Sequence, residues 1–187
     1  LGGMIGRCGI VRFASDEGMG EVVERIYDQG YRKKQLLADL TFYPDSQAIR
    51  FIGVWDTVGA LGIPDDKGLL NLLDRPDNYR FHDVQLGQHI KTARHAVAID
   101  EKRGSFTPTL WDPAPGRDMQ QIWFAGVHSD VGGGYKEHGL SDITLAWMMK
   151  EAGQCGLVFR ESASSQLHPD PAGLLHESHV GLMKLLL

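Results

Sequence analysis

The sequence is short of cysteine, of long apolar runs and of concentrated positive charge, and each shortage removes a class of function. Its two cysteines, Cys8 and Cys155, are too few and too far apart to found a disulfide framework or a zinc site. Both read as buried or tolerated thiols. No stretch comes near the ~20 apolar residues that a membrane-crossing helix needs, and no secretory leader is visible. Lys and Arg number 19 against 24 Asp and Glu, for a net charge of −5. The densest basic run, Arg32-Lys33-Lys34, reads as the solvated end of a helix. No basic stripe is long enough to follow a nucleic-acid backbone, so nucleic acid is not expected as a partner. The chain does not begin with Met and it ends in Leu185-Leu186-Leu187, so both ends are expected to be cut.

What remains is a soluble globular composition, 42% hydrophobic and 23% charged over 187 residues, enough for one domain or most of a larger one. Leu1 to Val11 is apolar and dotted with Gly2, Gly3, Gly6 and Gly9; so many glycines in one helix imply close packing against a sheet. Asp16 to about Lys34 has helical spacing, with acids early and bases late. Ala48 to Trp55 is a short run rich in β-formers, apolar on both faces as in the centre of a parallel sheet. Residues 59–80 form a partly apolar excursion around Ile63, Leu69, Leu70, Leu72 and Leu73. The pattern predicts a helix over Phe81–Ala96, a further strand near His95–Asp100, and loop from Gly104 to Gly116. Gln121 to Val127 is the second clear strand, running into His128 and a flexible turn at Gly132, Gly133 and Gly134. A helix follows, with Ser141 as its N-cap, a stripe of Leu145, Met148, Met149 and Ala152, and Gly153 and Gly156 at its end. Alternating strands and helices predict an α/β fold with a mostly parallel sheet flanked by helices.

Ligands of open α/β sheets collect at the carboxyl ends of the strands. The two clear strands end in residues capable of acid–base work, Asp56 and His128. A triad needs a histidine to take the nucleophile's proton and a carboxylate to fix the imidazole. In α/β-hydrolases the order along the chain is Ser, acid, His, and Asp56 followed by His128 obeys it. That order puts the serine upstream of Asp56, on a sharp strand-to-helix turn. No Gly-x-Ser-x-Gly occurs in the sequence, and Ser15 and Ser46 lack the flanking glycines. The glycine-dotted helix at Leu1 to Val11 is of the kind that follows such an elbow, so the nucleophile is expected just ahead of residue 1.

Phe51-Ile52-Gly53-Val54-Trp55-Asp56-Thr57-Val58-Gly59 and Gly126-Val127-His128-Ser129-Asp130-Val131-Gly132-Gly133-Gly134-Tyr135 resemble two motifs of one bacterial and fungal family. It is an uncharacterised α/β-hydrolase domain family that includes phospholipase effectors of type VI secretion. His95 to Glu101, Pro108 to Trp111 and Gly139 to Ile143 are similar to it more weakly. Leu1 to Val11 resembles the helix after that family's Gly-x-Ser-Arg-Gly elbow. The resemblance implies that residues 1–187 are the C-terminal portion of a single, incomplete α/β-hydrolase-like domain. It implies a lipase or esterase acting on an ester or lipid without a cofactor, in the bacterial cytoplasm or as a delivered effector. Asp56 and His128 match the family's acid and base, with Trp55, Thr57, Asp130, Gly132 and Gly133 supporting them or lining the pocket. Lacking the nucleophile, residues 1–187 alone are expected to be inactive.

Other readings of the same residues stand beside this one. Asp56 could cap its turn, and Asp130 could orient the loop or bind the amides of the glycine run. Asp56, His128 and Asp130 could ligate a divalent metal in a metal-dependent hydrolase. A degenerate hydrolase scaffold could instead serve as a non-catalytic binding domain. His82, His89 and His95 read as surface residues, and His168, His176 and His179 as tail residues without ligand geometry. Asp100 and Glu101 point to opposite faces if they lie on a strand, and a salt bridge to Arg103 or another base is expected. The excursion at 59–80 fits either a packed helix or an apolar surface for peripheral lipid contact.

Overall fold

A computed structural model of the chain describes residues 1–13, 18–58 and 86–178. Three parallel strands, β1 (Ile49–Trp55), β2 (Ile90–Ala98) and β3 (Asp118–Phe124), form one sheet with β2 in the middle. The helices are α1 (Gly2–Cys8), α2 (Met19–Arg25), α3 (His128–Gly132), α4 (Gly139–Gln154) and α5 (Glu161–Ser165). A π-helical stretch, Ile26–Arg32, continues α2. The expected α/β architecture is present, a parallel sheet with helices on both faces.

The central strand corrects the sequence reading. Ile90–Ala98 is a strand, not the end of a helix, and all of its residues but Lys91 are buried. Arg94 and His95 lie in its interior because each is satisfied there. The Arg94 guanidinium reaches Asp118 on β3 at 2.8 Å and Glu151 on α4 at 2.6 Å, which bolts helix to sheet. These contacts hold the Asp118 carboxyl below its usual range and raise Arg94 despite its burial.

Successive strand residues face opposite sides of the sheet. On the Gly53 side lies α4: a Cβ on Gly53 would fall 2.5 Å from the Met148 sulfur, so only glycine admits the helix there. Its buried face is Leu140, Asp142, Thr144, Met148 and Ala152; Leu145, expected in the stripe, is exposed. The helix opens at Gly139, two residues before the expected Ser141 cap, and the Ser141 hydroxyl donates to the His138 carbonyl. Ala96, Ala98 and Val131 form a core cluster on this side with Trp55, Phe124 and Trp147.

Helix α1 packs on β1 from the Ile52 side. Its glycines have the expected purpose, since a Cβ at Gly6 would sit 2.1 Å from the His89 ring and one at Gly3 2.6 Å from the Tyr31 hydroxyl. Gly2 lies against Ile52, whereas Gly9, past the other end, lies against Ser46. The helix therefore runs broadly antiparallel to β1, with the Gly2 carbonyl also 3.3 Å from Nε2 of His89. Val11 then bridges to Phe42. The apolar excursion at 59–80, His82, His179, and Asp16 at the start of the second predicted helix lie outside the described residues.

Candidate active site

Strand β1 ends at Trp55, and the next residue turns sharply, with φ +37° at Asp56. Asx residues tolerate this left-handed region better than most. The Asp56 amide still donates to the Ala96 carbonyl, so the turn stays tied to the central strand. Its side chain is fully buried, yet both oxygens are used. Oδ1 accepts the Ala98 amide at 2.8 Å, and Oδ2 lies 2.8 Å from Nδ1 of His128.

His128 reaches that position differently from the sequence expectation. Strand β3 stops at Phe124, and the chain bends through Gly126 (φ +115°) before His128 opens the short helix α3. Gly132, expected in a flexible turn, closes this helix, and Gly133 and Gly134 follow with φ of +87° and +126°. A carboxylate can only accept, so the Asp56 contact puts the imidazole proton on Nδ1. Nε2 is left as an acceptor; it bonds to no described residue, and the side chain is 29% exposed. Phe106 meets the imidazole edge-on at 5.0 Å, and the Arg103 guanidinium lies over Phe106 at 3.6 Å. The result is an oriented imidazole with one wall apolar and its outer nitrogen free to take a proton.

Carboxylates hold the backbone around His128. Asp100 and Glu101 follow β2 rather than lying on it, so they are not forced to opposite faces. Asp100 accepts the Gly126 amide at 2.7 Å, and Glu101 accepts the His128 amide at 3.2 Å. Glu101 also forms the anticipated salt bridge, with Arg103 as its base, through two contacts at 3.0 and 2.9 Å. Burial favours its neutral form, but these donors prevail and hold its carboxyl at about 2. Asp130 accepts the Val127 amide at 3.1 Å and pairs with His176 at 2.6 Å. It orients the turn, and it does so through Val127, not through the glycine amides.

The supporting residues fall into place around this pair. Trp55 packs on Gly132 and the core cluster. The Thr57 amide donates to Nε2 of His95 at 3.2 Å, and its carbonyl accepts the Thr109 amide. His95, read from sequence as a surface residue, is completely buried between Thr57 and Gln121. Burial pushes its pKa down, keeping it a neutral brace behind Asp56. The weak family resemblance of His95 to Glu101 gives no hint of this role, because Gln121 and Thr57 are distant in the chain. Among the described residues no three metal-ligating side chains converge, and Asp130 faces His176 instead of Asp56 and His128. A concavity lined by Arg7, Cys8, Leu37, Leu40 and Phe42 contains none of these residues.

Comparison with known proteins adds the family. "Uncharacterized protein YEL023C" of Saccharomyces cerevisiae is 39% identical over 66 residues, which are 33% of this chain and 9% of the yeast protein. The chain thus spans only about a tenth of the yeast protein's length. No solved structure matches. The model of the family described as "T6SS, Phospholipase effector Tle1-like, catalytic domain" matches residues 1–151. Both Asp56 and His128 fall inside that span, and the chain belongs to the family of Tle1-like phospholipase effector catalytic domains of type VI secretion.

Proposed function

We propose that this chain supplies the acid and the base of a serine ester hydrolase acting on phospholipid acyl esters, on an α/β-hydrolase-like scaffold. The observation that carries the reading is the 2.8 Å contact between Asp56 Oδ2 and His128 Nδ1 at the carboxyl edge of the sheet. It fixes the tautomer a general base requires and leaves Nε2 without a bond to any described residue. The direction of α1 supports the same reading. Four strand residues, roughly 13 Å, separate Ile52 from Asp56. One helical turn and a tight turn ahead of Leu1 would span that distance and bring a preceding serine beside His128.

The chemistry then follows from the pair. Nε2 takes the serine proton as Oγ attacks the ester carbonyl carbon, and the imidazolium that forms is stabilised by Asp56. Collapse of the tetrahedral adduct breaks the ester bond, and Nε2–H returns the proton to the leaving alcohol. Water, activated by the same nitrogen, releases the fatty acid and restores the serine. Trp55 and Gly132 pack behind the pair, Thr57 and His95 brace the Asp56 turn, and Asp130 and Gly133 shape the His128 loop. The family's description as phospholipase effectors supports a lipid substrate.

The test uses the polypeptide extended upstream through its first Gly-x-Ser-x-Gly. Fatty-acid release from phospholipid vesicles is expected, and His128→Ala should lower it by roughly 10³-fold or more. Unchanged release in that variant, or activity that a chelator abolishes, contradicts the proposal.

A further inference from the structure

The His128 loop is held from outside the span matched by the family. Residues 166–178 cross the start of α4 without regular structure. They are anchored by the His168 amide on Asp142 at 2.7 Å and the Asp170 amide on the Gly139 carbonyl at 3.0 Å. At the end of this segment His176 reaches Asp130, which grips the Val127 amide, and Glu177 and Ser178 reach Lys102, the neighbour in sequence of Glu101, which grips the His128 amide.

The inner arm is His176. Its Nδ1 lies 2.6 Å from Asp130 Oδ1, and its backbone amide donates to Asp130 Oδ2 at 3.1 Å. That second oxygen also accepts the Val127 amide, one residue before His128. On its flat side, the His176 ring stacks on Tyr135 at 3.7 Å and 17°. Asp130 and Tyr135 belong to the same loop, and Gly133 and Gly134, both at positive φ, return the chain so that the two side chains face one imidazole. The outer arm is Glu177 and Ser178. Glu177 pairs with Lys102 at 2.9 Å, and the Ser178 hydroxyl accepts the Lys102 amide at 3.4 Å, one residue past Glu101. Glu101 holds the His128 amide itself.

We infer that residues 176–178 form a strap that sets the position of His128, with His176 as a positioning residue acting through Asp130. The Asp and Tyr of the His-Ser-Asp-Val-Gly-Gly-Gly-Tyr run are, on this account, a socket for an imidazole of the chain, not contacts to substrate. His176 donates to a carboxylate that is already holding the backbone, so removing it frees Asp130 to turn and loosens Val127. The strap matters for catalysis only if Asp56 and His128 work as proposed above, but the strap itself is read without turnover.

The experiment is residue-resolved amide exchange and imidazole NMR on the polypeptide extended upstream of Leu1, as in the activity test. In His176→Ala, Val127 amide exchange should rise at least about tenfold, the ratio that one charge-assisted hydrogen bond supports. The Nδ1 proton of His128 should broaden, while Ala96 and Val97 in β2 keep their protection. His176→Asn, which restores a donor near the Nδ1 position, should recover most of both signals. Paired Glu177→Gln and Ser178→Ala changes remove only the outer arm; they should speed exchange at His128 and leave Val127 unchanged. The inference is overturned if Val127 and His128 are unmoved in a folded His176→Ala chain, or if protection falls evenly across the sheet. It is overturned equally if the outer-arm pair has no effect. Full activity in His128→Ala of the extended polypeptide would remove the hydrolase reading and leave the strap standing, so the two fail separately.

Discussion

Replacing Asp56 by Asn isolates what the carboxylate does. The Ala98 amide, 2.8 Å from Oδ1, orients the substituted side chain by requiring an oxygen there. The amide nitrogen must then face His128 Nδ1, where Oδ2 now lies at 2.8 Å. An NH₂ group can only donate, so Nδ1 becomes the acceptor and the imidazole proton moves to Nε2. Asn also tolerates the φ of +37° at this position, so the backbone is unstrained. Stability should fall by only about 1 kcal/mol, the difference between a charge-assisted and a neutral hydrogen bond. Turnover should fall by about 10⁴-fold, as in comparable triads, equivalent to about 5 kcal/mol of barrier. Nitrogen-15 NMR of the imidazole on this chain reads the tautomer, and vesicle hydrolysis by the extended polypeptide reads the rate. A variant that keeps the proton on Nδ1, or loses less than tenfold in rate, refutes the reasoning.

Further outcomes follow from the supporting residues. Gly126→Ala would put a Cβ 2.4 Å from Asp130 Cβ at a φ of +115°, so overpacking and strain together should cost about 3 kcal/mol. Thermal unfolding checks this as a fall of roughly 6–12 °C. Glu101, held at about 2 against an ordinary 4.5, binds its proton more readily in the unfolded chain. Its contribution of about 2–3 kcal/mol is therefore complete above pH 4.5 and lost as pH falls from there toward 2. Glu101→Gln should flatten denaturant stability across that window. His95, depressed below its ordinary 6.5, contributes stability that is full above that value and declines as pH drops below it. His95→Gln should abolish this slope in denaturant stability.

The parts of the site legible in the sequence are those whose cause is local. Ile49–Trp55 is a β-rich run with an Asp where it ends, and Asp118–Phe124 is followed within four residues by His128. Chain order then suggested that the two side chains belong together. Strand β2 was not legible as a strand over its length, because Lys91, Arg94 and His95 break the apolar pattern expected of a central strand. Their partners, Asp118, Glu151, Thr57 and Gln121, come from other elements, and only those contacts make burial tolerable. The glycine run looked like a turn, yet its first member closes α3, because Asp130 caps that helix through Val127. His176 gave no signal at all. Its partner lies 46 residues away, in a segment that carries no periodicity.

The most direct test of the central claim is labelling of the extended polypeptide with a fluorophosphonate, followed by peptide mapping. The account predicts a single modified serine ahead of Leu1, with labelling suppressed by His128→Ala and little affected by a chelator. No labelled serine, or full labelling without the imidazole, would contradict the claim that Asp56 and His128 activate a nucleophile.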